Sequence, residues 1–368
     1  MTDFEAEGLL DGLEGEARAA RLELLERLQG EGVRLEELRN AVAAGRLALL
    51  PVERAIAGDG GRYTAREIAA RSGLEVELLR RFRAALGIPY TDPDESVGTE
   101  ADLEAALRTK AILDAGFPAE EVLRNARTIG MGMGRIAEAN RELVVRNLTQ
   151  PGDTERDVAE RLALAAEQLL PLVNETLTYA FQANLLEQVK RDVIAAADLE
   201  SGAIGGAVER TICFADLVEF TRLGEEIAAE ELGRVADRLE EMATAIAEPP
   251  VRLVKTIGDA VMLVASGARE LTEAALALIA AAEAEGEEFP WLRAGLATGP
   301  TLSQSGDYYG RAVNLASGIT GVARPGSVLL DPATREAVGE DGFAYSFAGE
   351  RRLKGIDSRV KLFRVRRA

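Results

Sequence analysis

The sequence predicts two domains of different class: an all-α domain over residues 1–197 and an α+β domain over 208–368, joined by a linker at 198–207. Three observations carry this. Up to residue 197, apolar residues recur at helical spacing with few breaks, and the strong helix formers Ala, Leu, Glu and Arg dominate. Beyond 207, short strand-like runs alternate with helical ones, the pattern of helices packed on one sheet. Between the two, Asp198 to Ala207 is small and Gly-rich. A chain of 368 residues, 47% apolar, is long enough for two ordinary cores.

In the first domain the spacing predicts helices near 15–29, 33–45, 64–71, 75–86, 99–115, 118–126, 134–148, 154–170 and 172–197. Breaks are expected at Gly58-Asp59-Gly60-Gly61, at Pro89 to Asp94 and at Pro151-Gly152-Asp153. Thr64-Ala65-Arg66-Glu67 has the form of a capping box. The stretch from Tyr63 through Gly73 to Phe82 has a helix-turn-helix outline. The acidity of the domain favours a plain helical hairpin over a DNA reader. Gly130-Met131-Gly132-Met133-Gly134 follows helix rather than strand. It therefore reads as a flexible turn or a close helix contact, not a nucleotide loop.

In the second domain, strands are expected at Arg210–Asp216, Val251–Lys255, Ala260–Val264, Trp291–Thr298, Ser327–Leu330 and Val360–Val365. Helices are expected at 222–247, 268–285 and 310–322.

Composition excludes several chemistries. The net charge is −19, of which residues 1–200 carry −13 (24 basic, 37 acidic). Such a chain is a poor binder of phosphate backbones, so no nucleic acid partner is expected. There is no histidine, which removes imidazole bases and ordinary zinc sites. The single cysteine, Cys213, cannot form an internal disulfide, and a cytoplasmic location is expected. No membrane span and no signal peptide are expected.

Three segments carry chemistry: Cys213 to Arg222, Val254 to Met262, and Gly306 to Gly318. Asp216 ends an apolar strand. Asp259 follows Gly258 in a strand–turn–strand pattern 43 residues later. Two carboxylates at strand ends can converge on a hard divalent cation, although isolated aspartates are more often caps or turn formers.

In their order and spacing these segments resemble the catalytic domain of class III nucleotidyl cyclases, across most of 208–366. Arg293 to Gly299 and Leu353-Lys354-Gly355 extend the likeness. The resemblance implies a ferredoxin-like α+β domain that turns ATP into cyclic AMP and pyrophosphate, using two Mg²⁺ or Mn²⁺ ions per site. It assigns Asp216 and Asp259 to the metals, with the Leu217 carbonyl as a backbone ligand. Lys255 and Asp307 would read adenine, Asn314 would orient the ribose, and Lys354 would touch phosphate. It also implies a homodimer, with the aspartates from one domain and Lys255, Asp307 and Asn314 from the other. Residues 1–197 resemble, more loosely, the helical regulatory domain of actinobacterial soluble cyclases. That likeness raises the expectation of a lipid or other small ligand there, and of a transmitting helix over 176–197.

Two positions depart from the family pattern. Gly318 stands where an Arg is expected four residues after Asn314, and Glu219 where Gly is usual. They bring in a second reading, a pseudo-cyclase that binds ATP but turns over poorly. A third reading, a DNA-binding regulator with a cyclase-like appendage, rests on the helix-turn-helix outline alone.

Overall fold

The computed structural model describes residues 2–57, 63–90, 92, 94, 98–148, 150, 152–195, 207–286, 288–356 and 358–368, with the side chains of 190–195 set aside. The expected break at 58–61 and nearly all of the expected linker lie outside them. The chain divides into two compact units, Met1–Ala195 and Ala196–Ala368.

Apart from one β-bridge between Tyr63 and Gly98, the regular structure among the first unit's described residues is helical: α1 (Gly15–Gly30), α2 (Leu35–Ala43), α3 (Leu50–Ala57), α4 (Ala65–Ser72), α5 (Val76–Ala85), α6 (Glu100–Asp114), α7 (Ala119–Leu148) and α8 (Glu155–Ala195). It has two small cores. Leu24, Leu25, Leu28, Leu38 and Leu47 close one together with Ala159 of α8. Ile68, Leu79, Leu103 and Ala106 close the other. The Thr64 box forms: its hydroxyl accepts from the Glu67 amide at 3.1 Å, and the Glu67 carboxylate accepts from the Thr64 amide at 2.7 Å. The described arginines of the α4–α5 hairpin are engaged. Arg66 pairs with Asp94, Arg80 with Glu77, Arg81 with Glu120 and Arg83 with Asp102, while Arg71 lies over the Tyr63 ring.

Two expected breaks are absent. The segments 118–126 and 134–148 form one helix, α7, so the glycine run is not a turn. A Cβ on Gly130 would lie 2.6 Å from the Ala85 carbonyl oxygen and 2.7–2.8 Å from Leu86 backbone atoms, so Gly130 is the close helix contact of the alternative reading. The segments 154–170 and 172–197 likewise merge into α8, with Pro171 inside it. A proline removes one backbone bond from a helix, and the remaining turns of so long a helix hold across the gap. The structure also adds α3, which the spacing did not signal.

The second unit contains β1 (Val208–Leu217), α9 (Phe220–Glu226), α10 (Ala229–Ile246), β2 (Arg252–Ile257), β3 (Ala260–Ala265), α11 (Ala268–Ala284), β4 (Leu292–Gln304), β5 (Asp307–Tyr309), α12 (Arg311–Val322), β6 (Val328–Leu330), α13 (Pro332–Val338), β7 (Phe343–Arg352) and β8 (Arg359–Arg367). Strand order is β2-β3-β1-β4-β6-β8-β7, with β5 paired to the far end of β4. The first four strands form an antiparallel β2-β3-β1-β4 sheet threaded βαββαβ, the ferredoxin-like arrangement. β1 is its middle, buried on both faces. Cys213, Ala215 and Leu217 pack toward α10 and α11, and Ile212 packs toward α12. Burial pushes the Cys213 thiol up to about 12, so it is an inert core residue.

Three differences from expectation stand out here. The helix expected at 222–247 is broken at Ile227-Ala228 into α9 and α10. β4 runs on to Gln304 and turns back into β5 through Ser305 (φ 54°) and Gly306 (φ 82°), a two-residue hairpin turn with both residues left-handed. β7, which was not anticipated, forms the sheet edge with a register break between Phe347 and Gly349.

Gly130→Ala is expected to destabilise the first unit by about 1–3 kcal/mol through overpacking. Gly132→Ala, with open space around its Cβ, should be neutral or stabilising by up to ~1 kcal/mol. Urea unfolding of the two variants, compared with the parent, reads the contrast.

Candidate active site

The acidic part of the site is built by strand register. Asp216 is the penultimate residue of β1, opposite Ala260 on β3 and opposite Arg293 on β4. Asp259 sits in the β2–β3 turn behind Gly258, whose φ of 60° favours glycine. The turn is fastened to β1 by the Leu217 amide, which donates to the Asp259 carbonyl at 3.0 Å. The two carboxylates are thereby brought to one end of adjacent strands. Burial, and then the nearby Asp216 charge, hold the Asp259 carboxyl above the ordinary aspartate range.

Arg293 answers that negative charge. Its Nε and Nη2 donate to Asp216 Oδ2 at 3.1 and 2.6 Å, and Nη1 donates to the Gly321 carbonyl at 3.4 Å. The sequence shows Arg293 only as part of a family echo. Its role depends on a partner 77 residues away, which no local pattern reveals.

Lys255 and Asp307, which the resemblance pairs, also come together. Lys255 on β2 forms an ion pair with Asp307 Oδ2 at the start of β5, 52 residues on. Asp307 Oδ1 accepts from the Tyr308 amide at 2.8 Å, which fixes the plane of the carboxylate. Among the described residues, no hydrogen bond or ion pair joins this pair to Asp216 or Asp259.

Asn314 is exposed on α12, one turn before Gly318 on the same face. A Cβ on Gly318 would lie 3.2 Å from the Leu353 Cβ, so this helix face packs directly on the segment that carries exposed Lys354. Glu219 is left-handed (φ 60°, ψ 22°) at the start of α9, which explains why glycine suits the position. Its side chain is 59% exposed and pairs with Arg222 at 3.0 Å, so it points outward.

The donor set suits a hard divalent cation. Two carboxylates and the Leu217 carbonyl can supply only oxygen. Burial, and then the Asp216 charge, disfavour the ionised Asp259 carboxyl, and a cation would relieve both. Among the described residues there is no cluster of three or more acidic or other metal-binding side chains, so any ion here would complete its coordination with substrate or water oxygens.

The fold and these clusters define a class III nucleotidyl cyclase domain. A family model for the adenylate and guanylate cyclase catalytic domain matches residues 206–366, and one for the adenylate cyclase regulatory domain matches 2–189. The chain is 40% identical to the pH-sensitive adenylate cyclase MT1302 of Mycobacterium tuberculosis, over 99% of this chain and 92% of that one. It is 35% identical to an adenylate cyclase of Streptomyces coelicolor, over 78% and 74% of the two chains. With one from Glutamicibacter nicotianae it shares 29% identity over 87% and 82%. The chain therefore belongs to the adenylate cyclase family that joins this helical regulatory domain to a class III catalytic domain.

A carboxyl with a raised native pKa binds its proton more tightly folded than unfolded. Its contribution to stability therefore grows as pH falls through that raised value and is lost above it. Asp259→Asn is expected to raise the Tm of the metal-free protein at neutral pH, and its advantage over the parent should shrink as pH falls through the raised Asp259 value. Thermal melts of both proteins across the acid range check this.

Proposed function

We propose that the protein is an adenylyl cyclase. It converts ATP to 3′,5′-cyclic AMP and pyrophosphate at sites shared by two catalytic domains of a homodimer. The observation that carries this reading is the Lys255–Asp307 pair, formed across 52 residues of chain. A lysine donor beside a carboxylate acceptor matches the ring nitrogen and exocyclic amine of adenine, and guanine presents the reverse pattern. The relatives named adenylate cyclase support the same substrate.

In the reaction the ribose 3′-hydroxyl gives up its proton to water, and its oxygen attacks the α-phosphorus. The bond from the α-phosphorus to the bridging oxygen breaks, and pyrophosphate leaves. Asp216, Asp259 and the Leu217 carbonyl would hold Mg²⁺ or Mn²⁺, which when bound supplies Lewis-acid activation of the 3′-hydroxyl and charge neutralisation on the triphosphate. Asn314 orients the ribose, and Lys354 contacts phosphate. Lys255 and Asp307 hold each other in place until the base separates them.

The resemblance to class III cyclases supports a site completed by a second copy. The first unit supplies a means of association. On α8, Leu172, Tyr179, Phe181, Leu185, Leu186 and Val189 are exposed, more apolar surface than an isolated helix leaves to water. Pairing of these helices would let the regulatory unit bias how two catalytic domains meet. Phe181→Glu with Leu185→Glu, one helical turn apart, should shift the protein toward monomer in sedimentation velocity and lower its activity.

Purified protein supplied with Mn²⁺ and ATP is expected to produce cyclic AMP, and Asn314→Ala to lower kcat by about 10²–10³. Gly318→Arg should raise kcat, at some loss of stability where the new Cβ meets Leu353. ATP binding without cyclic AMP above background would replace this reading with that of a pseudo-cyclase, the alternative that Gly318 favours.

A further inference from the structure

We propose that Arg293 is an internal counter-ion that competes with divalent metal for Asp216, giving the site a latched, metal-free state. This rests on the reading of Asp216 as a metal ligand. The geometry is that of a guanidinium committed to one oxygen. Nε and Nη2 both converge on Asp216 Oδ2, at 3.1 and 2.6 Å. The pair is mostly shielded, with side-chain exposures of 27% and 22%. Asp216 and Arg293 are direct cross-strand neighbours on β1 and β4, so the contact is set by sheet register rather than by a mobile loop.

A divalent cation bound through carboxylate oxygen needs that oxygen at about 2.0–2.6 Å. With the guanidinium on Oδ2, a cation would enter through Oδ1, and the two positive charges held on one carboxylate then repel at such range. Metal entry therefore weakens the Arg293 contact by charge repulsion, and the contact in turn opposes metal entry.

Arg293 has somewhere to go. Its third donor, Nη1, already reaches the Gly321 carbonyl at 3.4 Å. Gly321 lies in the last turn of α12, where carbonyls lack helical partners and a cation is favoured. Arg293 thus has two stations, the Asp216 carboxylate and the C-terminal end of the helix that carries Asn314. Metal occupancy of Asp216 moves it toward the second. Loading of the acidic cluster is in this way felt at the end of α12.

The test is Mn²⁺ binding to the nucleotide-free, full-length protein, read by the EPR signal of free Mn²⁺, for the parent, Arg293→Gln and Arg293→Lys. Removing one competing charge at contact range should tighten Mn²⁺ binding about tenfold or more in Arg293→Gln. Arg293→Lys, which keeps the charge but not the fork, should fall between. In parallel melts, Arg293→Gln should have a lower metal-free Tm and a larger rise in Tm on adding Mn²⁺. Equal or weaker Mn²⁺ binding in a cooperatively folded Arg293→Gln would overturn the proposal and make Arg293 a residue that orients Asp216 for the metal. Should the Gln variant fail to fold, Arg293→Lys carries the test alone, and no tightening in it overturns the latch. A parent protein that binds no Mn²⁺ even with saturating ATP would remove the metal reading itself. A parent that binds Mn²⁺ beside a variant that does not tighten would remove only the latch.

Discussion

Two carboxylates held at the ends of adjacent strands are the constraint around which the catalytic unit is arranged. Burial first, and then the neighbouring Asp216 charge, oppose ionisation of Asp259 and hold its carboxyl above the ordinary range. The fold holds the arrangement by rigidity rather than by avoiding it. β1 is the middle of the antiparallel β2-β3-β1-β4 sheet and is buried on both faces, so Asp216 cannot retreat without disturbing both cores. The Leu217–Asp259 backbone bond ties the turn to the strand. β4 delivers Arg293 from the opposite side at the one register position that meets Asp216. The order of strands, the hairpin turn and the cross-strand arginine together hold like charges close.

Much of this was readable in the sequence, because β3 is apolar throughout and β1 and the first half of β4 carry short apolar runs, Ile212 to Ala215 and Ala294 to Ala297, bounded by charged or polar residues. Buried strands announce themselves that way. The parts that stayed hidden share a different physics. β7 is an edge strand in which Glu350, Arg351 and Arg352 face water and a register break interrupts alternation, so no period marks it. The β4–β5 turn uses Ser305 in a left-handed conformation, which a serine does not advertise. In the first unit, Gly130 and Pro171 look like breakers, yet the first is a packing contact and the second is absorbed by a long helix. The candidate site residues could be named from spacing and family likeness. Arg293 acquired its role only when the sheet set it beside Asp216.

The two departures from the family pattern differ in kind. Glu219 carries a conformational cost: a non-glycine residue at φ 60° is disfavoured by roughly 1–2 kcal/mol. Its carboxylate is paired with Arg222 and turned outward, so it brings little new charge toward the Asp216 strand end. Gly318 is an absent cation at a half-buried position of α12, where the expected side chain would have started against Leu353. A strained backbone position affects how firmly α9 is held. A missing cation affects how well charge is met once it develops. For an adenylyl cyclase, the first would be felt in stability and substrate approach, and the second in kcat. Because the Lys255–Asp307 pair and the Asp216–Asp259 cluster are built from other elements, neither departure disturbs the groups that would select the base or hold the metal.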